Sequence, residues 1–185
     1  LGLNASDITV GIVAAFTEHK ALNYFVDVAK KVHDRIPQVR FLMVGDGELR
    51  PEIEKQIAQL KIRQVVQLLG WRSDIPEIIA TFDVFLLTSL WEGLPRALVE
   101  ALLTGVPAVA SNVDGVCEVL RHGENGYLVP PGDIEAMAQS VVRLLTDAPL
   151  RLSMDERCRS SVTAFSLPKM LQDHTNFYRN LRFQR

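Results

Sequence analysis

Two carboxylates, Glu92 and Glu100, enclose the stretch of this sequence with the clearest capacity for chemistry. A glycine and a proline follow the first of them, in the order Gly93, Leu94, Pro95. Glycine lets a ligand approach the backbone closely, and proline is tolerated where a helix begins because its missing N–H would have no partner there. We therefore expect the N–H groups near Gly93 and Leu94 to point into a crevice and form a seat for phosphate.

Glu100 stands in an apolar run, which makes its carboxylate unusual. Its neighbours are aliphatic: Leu98, Val99, Ala101, Leu102 and Leu103. An unpaired carboxylate is costly to bury, so we expect a partner to satisfy Glu100. The two hydroxyls of a ribose would do so, since both can donate charge-assisted hydrogen bonds to one carboxylate. A salt bridge to a nearby Lys or Arg is the alternative.

The segment Phe16–Lys20 provides a cation and no glycine loop. Its sequence, FTEHK, matches neither the dinucleotide fingerprint GxGxxG nor the phosphate loop GxxxxGK[ST], which disfavours NAD binding and ATP hydrolysis. Lys20 stands where a helix should begin, so its ammonium group and free backbone N–H groups could together neutralise a phosphate. A solvated surface lysine is the alternative. For His19, we expect a surface or capping role and not a role as an acid–base group.

Short apolar runs alternate with longer amphipathic stretches, a pattern typical of βαβ units with a parallel sheet. Asp133 and either Ser73 or Asp74 are expected to cap helices. The predicted strands are Thr9–Ala15, Val39–Gly45, Val65–Leu69, Val84–Thr88, Ala108–Ser111 and Tyr127–Val129. The predicted helices are Leu22 to Pro37, Leu49–Leu60, Asp74–Ala80, Pro95–Thr104, Asp133–Leu145, Leu150–Ala164 and Pro168–Leu181.

These elements predict an α/β fold with a doubly wound, six-stranded parallel sheet, Rossmann-like, in one domain spanning 1–185. The helices within 149–185 are expected to close its edge. Ligands of such sheets lie beyond the carboxyl ends of the strands, where the strand order reverses. With the order 3-2-1-4-5-6, that point lies between the first and fourth strands. The walls of the crevice are then Phe16–Lys20 and Thr88–Pro95.

The composition is that of a globular domain, with 185 residues, 48% hydrophobic and 23% charged. A net charge of −2, without a basic stripe, argues against nucleic acid as a partner. Cys117 and Cys158 lack the spacing of a zinc site or a disulfide framework, which fits a reducing compartment. The apolar runs fall short of the ~18 residues that span a bilayer. The opening at Leu1, almost directly in a strand, suggests a piece of a longer protein.

The segment from Glu92 to Glu100, EGLPRALVE, resembles the E-x7-E element of the large family of retaining glycosyltransferases with the GT-B fold, the glycosyl transferases group 1 family, or family four. Four further segments resemble its donor-binding domain in order and spacing: FLMVGDGELRPEIEKQI, VVQLLGWRSDIPEIIATFDVFLLTS, EALLTGVPAVASNVDGVCEVL and NGYLVPPGD. The resemblance covers essentially the whole chain. It implies the carboxyl-terminal half of a GT-B enzyme, with the amino-terminal acceptor domain absent from this chain.

The resemblance implies a role for each residue of the crevice walls. Glu100 would hold the ribose hydroxyls, while Glu92 and the Gly93–Pro95 backbone, including Leu94, would face the transferred sugar and its phosphates. Lys20 would bind the diphosphate. Glu92 and Lys20 are thus the expected catalytic residues.

The resemblance also implies roles for the loops after the second and third strands. Gly45 and Gly47 would line the crevice, and Trp71 or Arg72 would meet the base, largely through backbone groups. The Gly-Asp-Gly sequence at Gly45–Gly47 is also a routine strand-to-helix turn, which is the alternative for those two residues.

Two positions depart from the family's pattern. An arginine usually precedes the lysine by five residues, but Ala15 stands there in this sequence. Losing such a contact on the leaving group would cost on the order of 10²–10³ in rate, unless Arg96 or a residue of the missing half replaces it. A catalytically silent nucleotide-sugar-binding module is therefore the alternative to an active hexosyltransferase. Asp114 replaces a common glycine before Gly115, and we expect little consequence.

The implied chemistry is departure of a nucleoside diphosphate from the anomeric carbon, with Lys20 and helix N-termini stabilising the leaving group. No DxD pair lies in a suitable loop, so neither metal nor cofactor is expected. The donor would be a UDP- or GDP-sugar, and the acceptor a glycan or lipid-linked glycan in polysaccharide biosynthesis. The resemblance implies retention of configuration and a cytoplasmic enzyme, and it leaves open peripheral association with the inner face of a membrane. This chain alone should bind donor but transfer poorly.

A phosphoacceptor receiver domain shares the alternating βα pattern. It requires an aspartate at the end of a central strand and acidic neighbours at the end of the first. The predicted strands Thr9–Ala15 and Val65–Leu69 are followed by Phe16 and Gly70. The receiver alternative is therefore weak.

Overall fold

The computed structural model describes residues 1–3, 7–165 and 167–182, and its centre is a six-stranded parallel sheet flanked by helices. The strands are β1 Ile8–Val13, β2 Val39–Val44, β3 Val66–Gly70, β4 Val84–Leu87, β5 Ala108–Ser111 and β6 Gly126–Val129. The helices are α1 Leu22–His33, α2 Arg50–Gln59, α3 Ile75–Ile79, α4 Arg96–Leu103, α5 Ile134–Thr146, α6 Ala148–Ser161 and α7 Leu167–Arg182. Two 3₁₀ turns, Glu18–Lys20 and Thr163–Phe165, complete the chain.

The order of the strands is β3-β2-β1-β4-β5-β6, and neighbouring strands pair in parallel. The predicted fold class and strand order are therefore confirmed. The order reverses between β1 and β4, which is where the sequence placed the crevice. β1 ends at Val13 and not at Ala15, so Ala14 and Ala15 belong to the crevice loop.

The central strands are apolar because helices cover the sheet. All four residues of β4, Val84–Leu87, are buried, as are the four residues of β5. Strands covered on both faces have continuous apolar runs and lack the alternation of a strand with one wet face. The apolar stripe of α1, which includes Phe25, Ala29 and Val32, is also fully buried. This packing fixes the carboxyl ends of β1 and β4 as a rigid base for the loops beyond them.

Helix ends follow local chemistry more closely than the apolar pattern does. α1 ends at His33, before the predicted limit at Pro37, and the proline itself constrains only the residue before it, Ile36. Asp133 caps α5 as predicted, since its side chain accepts a hydrogen bond of 3.0 Å from the N–H of Ala136. Asp74 occupies the N-cap position of α3, but its carboxylate binds Arg72 and forms no cap bond within the described residues. The expectation of a capping side chain at Asp74 is therefore wrong.

The last two helices differ in how they meet the rest of the chain. α6 packs on α4 and α5 and buries Met154 and Cys158. α7 meets chiefly the turn Thr163–Phe165. Its apolar residues are exposed: Met170, Leu171, Phe177, Tyr178 and Leu181. In the part of the chain that the structure describes, none of the helices combines the length and apolarity needed to cross a bilayer.

Candidate functional site

The loops after β1 and β4 are bonded to each other at the point where the strand order reverses. The N–H of Leu90 donates to the carbonyl oxygen of His19 at 2.7 Å, and the hydroxyl of Thr88 donates to the carbonyl oxygen of Lys20 at 2.9 Å. Thr88 is fully buried. These cross-loop bonds fix the width of the crevice without help from a ligand.

Lys20 and Glu92 meet across this crevice. The Nζ atom of Lys20 lies 2.6 Å from Oε1 of Glu92, and the hydroxyl of Ser89 donates to the same oxygen at 2.6 Å. The side chains are only 18% and 7% exposed. Partial burial strengthens the pair relative to one in bulk water. The structure therefore brings the two expected catalytic residues together, and it adds a buried hydroxyl that the sequence pattern did not single out.

The backbone after Lys20 has an unusual conformation. Ala21 lies in the left-handed region, with φ 45° and ψ 48°, immediately before α1 begins at Leu22. A left-handed residue that is not glycine stores strain and is characteristic of functional sites. Among the described residues, no side chain caps α1 and no acidic residue occupies its first turn. The positive end of its dipole therefore opens next to the Lys20 ammonium group.

The loop before α4 presents open space at the predicted phosphate seat. Gly93 and Leu94 are exposed and Pro95 is buried, and no described atom lies within 4 Å of where a Cβ of Gly93 would stand. Pro95 is the N-cap of α4 and not its first residue. A ligand can therefore approach the Gly93 backbone closely.

Glu100 is less buried than its neighbours in sequence suggest. Its side chain is 40% exposed, and its ion pair with Arg96 is long, at 4.0 Å. Arg96 is itself 87% exposed. The buried face of α4 consists of Leu98, Val99, Ala101 and Leu102, and Glu100 lies at its margin. Glu100 is thus open to solvent and held only loosely by a basic residue, so it is not a buried charge that an internal partner must satisfy.

Gly45 and Gly47 are explained by contacts between loops. Gly45 has φ +124°, and a Cβ there would overlap the carbonyl oxygen of Ala14. A Cβ at Gly47 would lie 2.6 Å from the carbonyl oxygen of Phe16, whose N–H donates to Asp46 at 2.9 Å. Both glycines let the loop after β2 pack directly against the loop after β1.

A cavity of about 200 Å³ lies beside the crevice loop, and both residues that could meet the base, Trp71 and Arg72, line it. Ala15, Gly45, Trp71 and Arg72 all line it. The guanidinium of Arg72 forms two hydrogen bonds with Asp74, at 2.8 and 2.6 Å, and this contact lowers the pKa of the Asp74 carboxyl. Gly47 is not among the residues that line this cavity.

Four further residues of the site were missed or given little weight in the sequence. Gly115, at φ +77°, packs so closely that a Cβ would overlap the carbonyl oxygen of Gly93. The ring of His19 stacks on Trp91 with centroids 4.2 Å apart. Ser89 could have been noticed from its position directly after a buried strand and three residues before Glu92, whereas the other contacts join distant segments.

Metal-ligating side chains do not cluster in the described part of the chain. Within residues 1–3, 7–165 and 167–182, no group of three His, Cys, Asp or Glu is placed as in a metal site.

The sequence is similar to those of curated bacterial enzymes. The chain is 34% identical over 182 residues to the UDP-Gal:α-D-GlcNAc-diphosphoundecaprenol α-1,3-galactosyltransferase of Escherichia coli, covering 96% of this chain and 47% of that protein. It is 31% identical over 178 residues to the N-acetyl-α-D-glucosaminyl L-malate synthase of Bacillus anthracis, covering 96% of this chain and 46% of that protein. The chain thus spans about half the length of these curated relatives.

Solved structures share the fold. The Anabaena protein Alr3699/HepE, crystallised in complex with UDP and glucose, is 27% identical, with a TM-score of 0.89 over 95% of this chain and 49% of that one. The C-terminal domain of the group 1 glycosyl transferase LpcC from Francisella tularensis is 21% identical, with a TM-score of 0.78 over 85% of both chains. The family model for glycosyl transferases group 1 matches residues 7–147. With its sheet order, its crevice and these likenesses, the chain belongs to the glycosyl transferases group 1 family.

Proposed function

We propose that this chain is the donor-binding half of a retaining, metal-independent glycosyltransferase, and that it binds a nucleoside-diphosphate sugar. The main support is the Lys20–Glu92 pair in the crevice, together with the 200 Å³ cavity that Ala15 of the same loop lines. The pair is partly buried and in direct contact. Its cation can bind a phosphate, and its carboxylate can accept a hydrogen bond from a sugar hydroxyl. The neighbouring cavity has the apolar walls that a nucleobase requires.

The base enters the cavity lined by Ala15, Gly45, Trp71 and Arg72. Flat apolar walls with a few polar groups are typical of small-molecule sites. UDP is the preferred nucleotide, since the name of the Escherichia coli relative specifies UDP-Gal and the Anabaena neighbour holds UDP. GDP is the second choice.

Glu100 binds the ribose in this proposal. Its carboxylate is partly exposed and lies 4.0 Å from the nearest nitrogen of its partner Arg96, so displacing that contact is inexpensive. Two ribose hydroxyls can then donate to it. A partly exposed Glu100 can take this role as well as a buried one.

The diphosphate draws Lys20 away from Glu92. The C–O bond between the anomeric carbon and the diphosphate breaks with its electron pair passing to oxygen, and the Lys20 ammonium and the N-terminus of α1 stabilise the charge that develops. Ser89 keeps hold of Glu92, which accepts a hydrogen bond from a hydroxyl of the transferred sugar. The acceptor hydroxyl then attacks the anomeric carbon on the face that the diphosphate left, which retains the configuration. Its oxygen forms the new C–O bond, and its proton passes to the oxygen of the departing diphosphate.

The acceptor, a glycan or lipid-linked glycan, is bound mainly by an amino-terminal domain that this chain lacks. The exposed apolar stripe of α7, with Met170, Leu171 and Phe177, is available to pack on that domain. We further propose a cytoplasmic location, with peripheral membrane association of the longer enzyme. This chain alone binds donor and transfers sugar poorly.

Binding of UDP tests the proposal. Calorimetric titration of the chain with UDP and with GDP, in the presence of EDTA, should give saturable binding, and a ligand at 100 times its Kd should add about 2.7 kcal/mol to folding stability. Lys20→Met should weaken UDP by about tenfold or more, because it removes the phosphate contact. The exposed Lys55 on α2 provides the matched control, Lys55→Met. Equal binding by both variants, or binding that requires added Mg²⁺, would contradict the assignment.

A silent sugar-nucleotide-binding module is the second candidate, because a small methyl side chain at Ala15 faces the cavity. In the longer protein, Ala15→Arg discriminates the two. A large rise in turnover from near zero supports the silent module, and little change supports an active enzyme that uses other cations.

A further inference from the structure

A cleft between the two walls of the crevice has no role in the chemistry described so far. Its volume is about 330 Å³. It is lined by Thr17, Glu18, His19, Glu48, Leu90 and Trp91. The loops after β1, β2 and β4 each contribute to it. It is therefore a composite of the same loops that build the crevice.

Trp91 is exposed and yet held in place. The side chain is 63% exposed, but one indole face is covered by the ring of His19, at 4.2 Å between centroids and 19° between planes. His19 is fixed in turn, since Thr17 Oγ1 lies 3.2 Å from its Nδ1 and the N–H of Leu90 donates to its carbonyl oxygen. A large apolar ring in water is unfavourable, and bracing it from one side prepares the other face for a partner.

The rim of the cleft favours a neutral, polyhydroxylated ring. The C–H groups of a pyranose carry slight positive charge and stack on the negative face of an indole. Glu18 and Glu48 are exposed carboxylates that can accept hydrogen bonds from ring hydroxyls. The same two carboxylates repel a phosphate or another anion, so the cleft does not duplicate the diphosphate site.

We propose that the Trp91 cleft is a carbohydrate subsite that holds a pyranose ring of the acceptor. Trp91 directly precedes Glu92, and its stacking partner His19 directly precedes Lys20. The cleft is therefore built on the same two loops as the Lys20–Glu92 pair. The term acceptor rests on the proposed function, whereas binding of a pyranose to this cleft does not. The chain thereby contributes to the binding of both substrates of the reaction, the donor and the acceptor.

The test uses saturation-transfer NMR on this chain with two probes, methyl α-D-glucopyranoside and methyl α-D-N-acetylglucosaminide, at millimolar concentration. We expect saturation transfer from the protein to at least one pyranoside. Trp91→Ala should abolish it, Trp91→Phe should preserve part of it because a smaller aromatic face remains, and Glu48→Gln should weaken it. The exposed Tyr178 on α7 provides the matched control, Tyr178→Ala, which should change nothing.

UDP affinity, measured on the same variants, separates the two proposals. Trp91→Ala that binds UDP normally and has lost the pyranoside supports the subsite. If the wild-type chain binds UDP but shows no saturation transfer to either pyranoside, the subsite is overturned and the donor function stands. The same conclusion follows if the pyranoside signal survives Trp91→Ala. A chain that binds the pyranoside through Trp91 but never UDP overturns the donor function and with it the acceptor role.

Discussion

Glu92 is in contact with, or next to, three residues of different chemistry. Lys20 neutralises it, Ser89 donates to it, and Gly115 lies against the carbonyl oxygens of Gly93 and Glu92. Two of the three come from distant parts of the chain. Each can be removed alone, so their separate effects can be measured.

The Lys20–Glu92 pair should be coupled in stability. Lys20→Met leaves a carboxylate that is 7% exposed without its cation, and we expect unfolding to require about 1–3 kcal/mol less. Glu92→Gln in the same chain should restore part of that loss, because no uncompensated charge then remains. Urea unfolding of both single variants and the double variant measures the coupling. The exposed pair Arg121–Glu124, 3.7 Å apart, should show coupling below about 1 kcal/mol in the same experiment.

Gly115 should tolerate no side chain. In Gly115→Ala the methyl group would overlap the Gly93 carbonyl oxygen, so the loop before α4 must move, and we expect a loss of about 1–3 kcal/mol together with weaker UDP binding. Gly123→Ala is the control for backbone strain alone. Gly123 has a similar φ of +80°, and no described atom lies within 4 Å of its Cβ position. Equal loss of UDP affinity in both variants would show that displacement of the Gly93 loop is not the cause.

At the scale of elements, α1 and α5 are joined through Glu135. Its carboxylate accepts hydrogen bonds from Arg35, from Lys31 at 3.0 Å and from Gln139 at 3.0 Å. The Arg35 and Lys31 contacts are the main reasons that the pKa of Glu135 falls to about 2. The two helices thus share a charge contact at the surface in addition to their apolar packing.

This contact predicts a pH dependence of stability. A carboxyl whose folded pKa is depressed stabilises the fold above its unfolded pKa, and that contribution disappears as the pH falls toward about 2. Wild type should therefore lose more stability than Glu135→Gln between pH 4.5, the ordinary value for this carboxyl, and about 2. Thermal unfolding across that range measures the difference. Glu124→Gln, which alters an exposed pair of 3.7 Å, should follow the wild-type curve closely.

At the scale of the whole molecule, the sheet with α1 to α6 forms the folded body, and α7 adds little to it. Ending the chain after Phe165 removes exposed apolar residues and few contacts. We expect the shortened chain to keep its Tm and its UDP affinity and to show less self-association. Calorimetry, UDP titration and sedimentation measure the three. A marked fall in Tm would mean that α7 packs on the body more than its contacts indicate.

The strands and helices of this molecule can be predicted well from the sequence because each has a recognisable local pattern of apolar residues. The apolar runs at Val84–Leu87 and Ala108–Ser111, and the alternation of strands with helices, are enough to place the crevice. Contacts between distant loops are not encoded in a local pattern. The Lys20–Glu92 contact and the position of Gly115 against Gly93 emerge only when the crossing loops are in place. The exposure of Glu100 could not be predicted for a related reason. Residues that are neighbours in the sequence of a helix need not lie on the same face of it.

The two bonds from Leu90 and Thr88 to the backbone at His19 and Lys20 have a mechanical consequence. Loops pinned to one another in this way cannot act as a lid that swings over the occupant. Under the proposed function, the pinned loops form a fixed wall against which the donor binds. Substitutions within them are therefore expected to change donor affinity and not the motion of a lid.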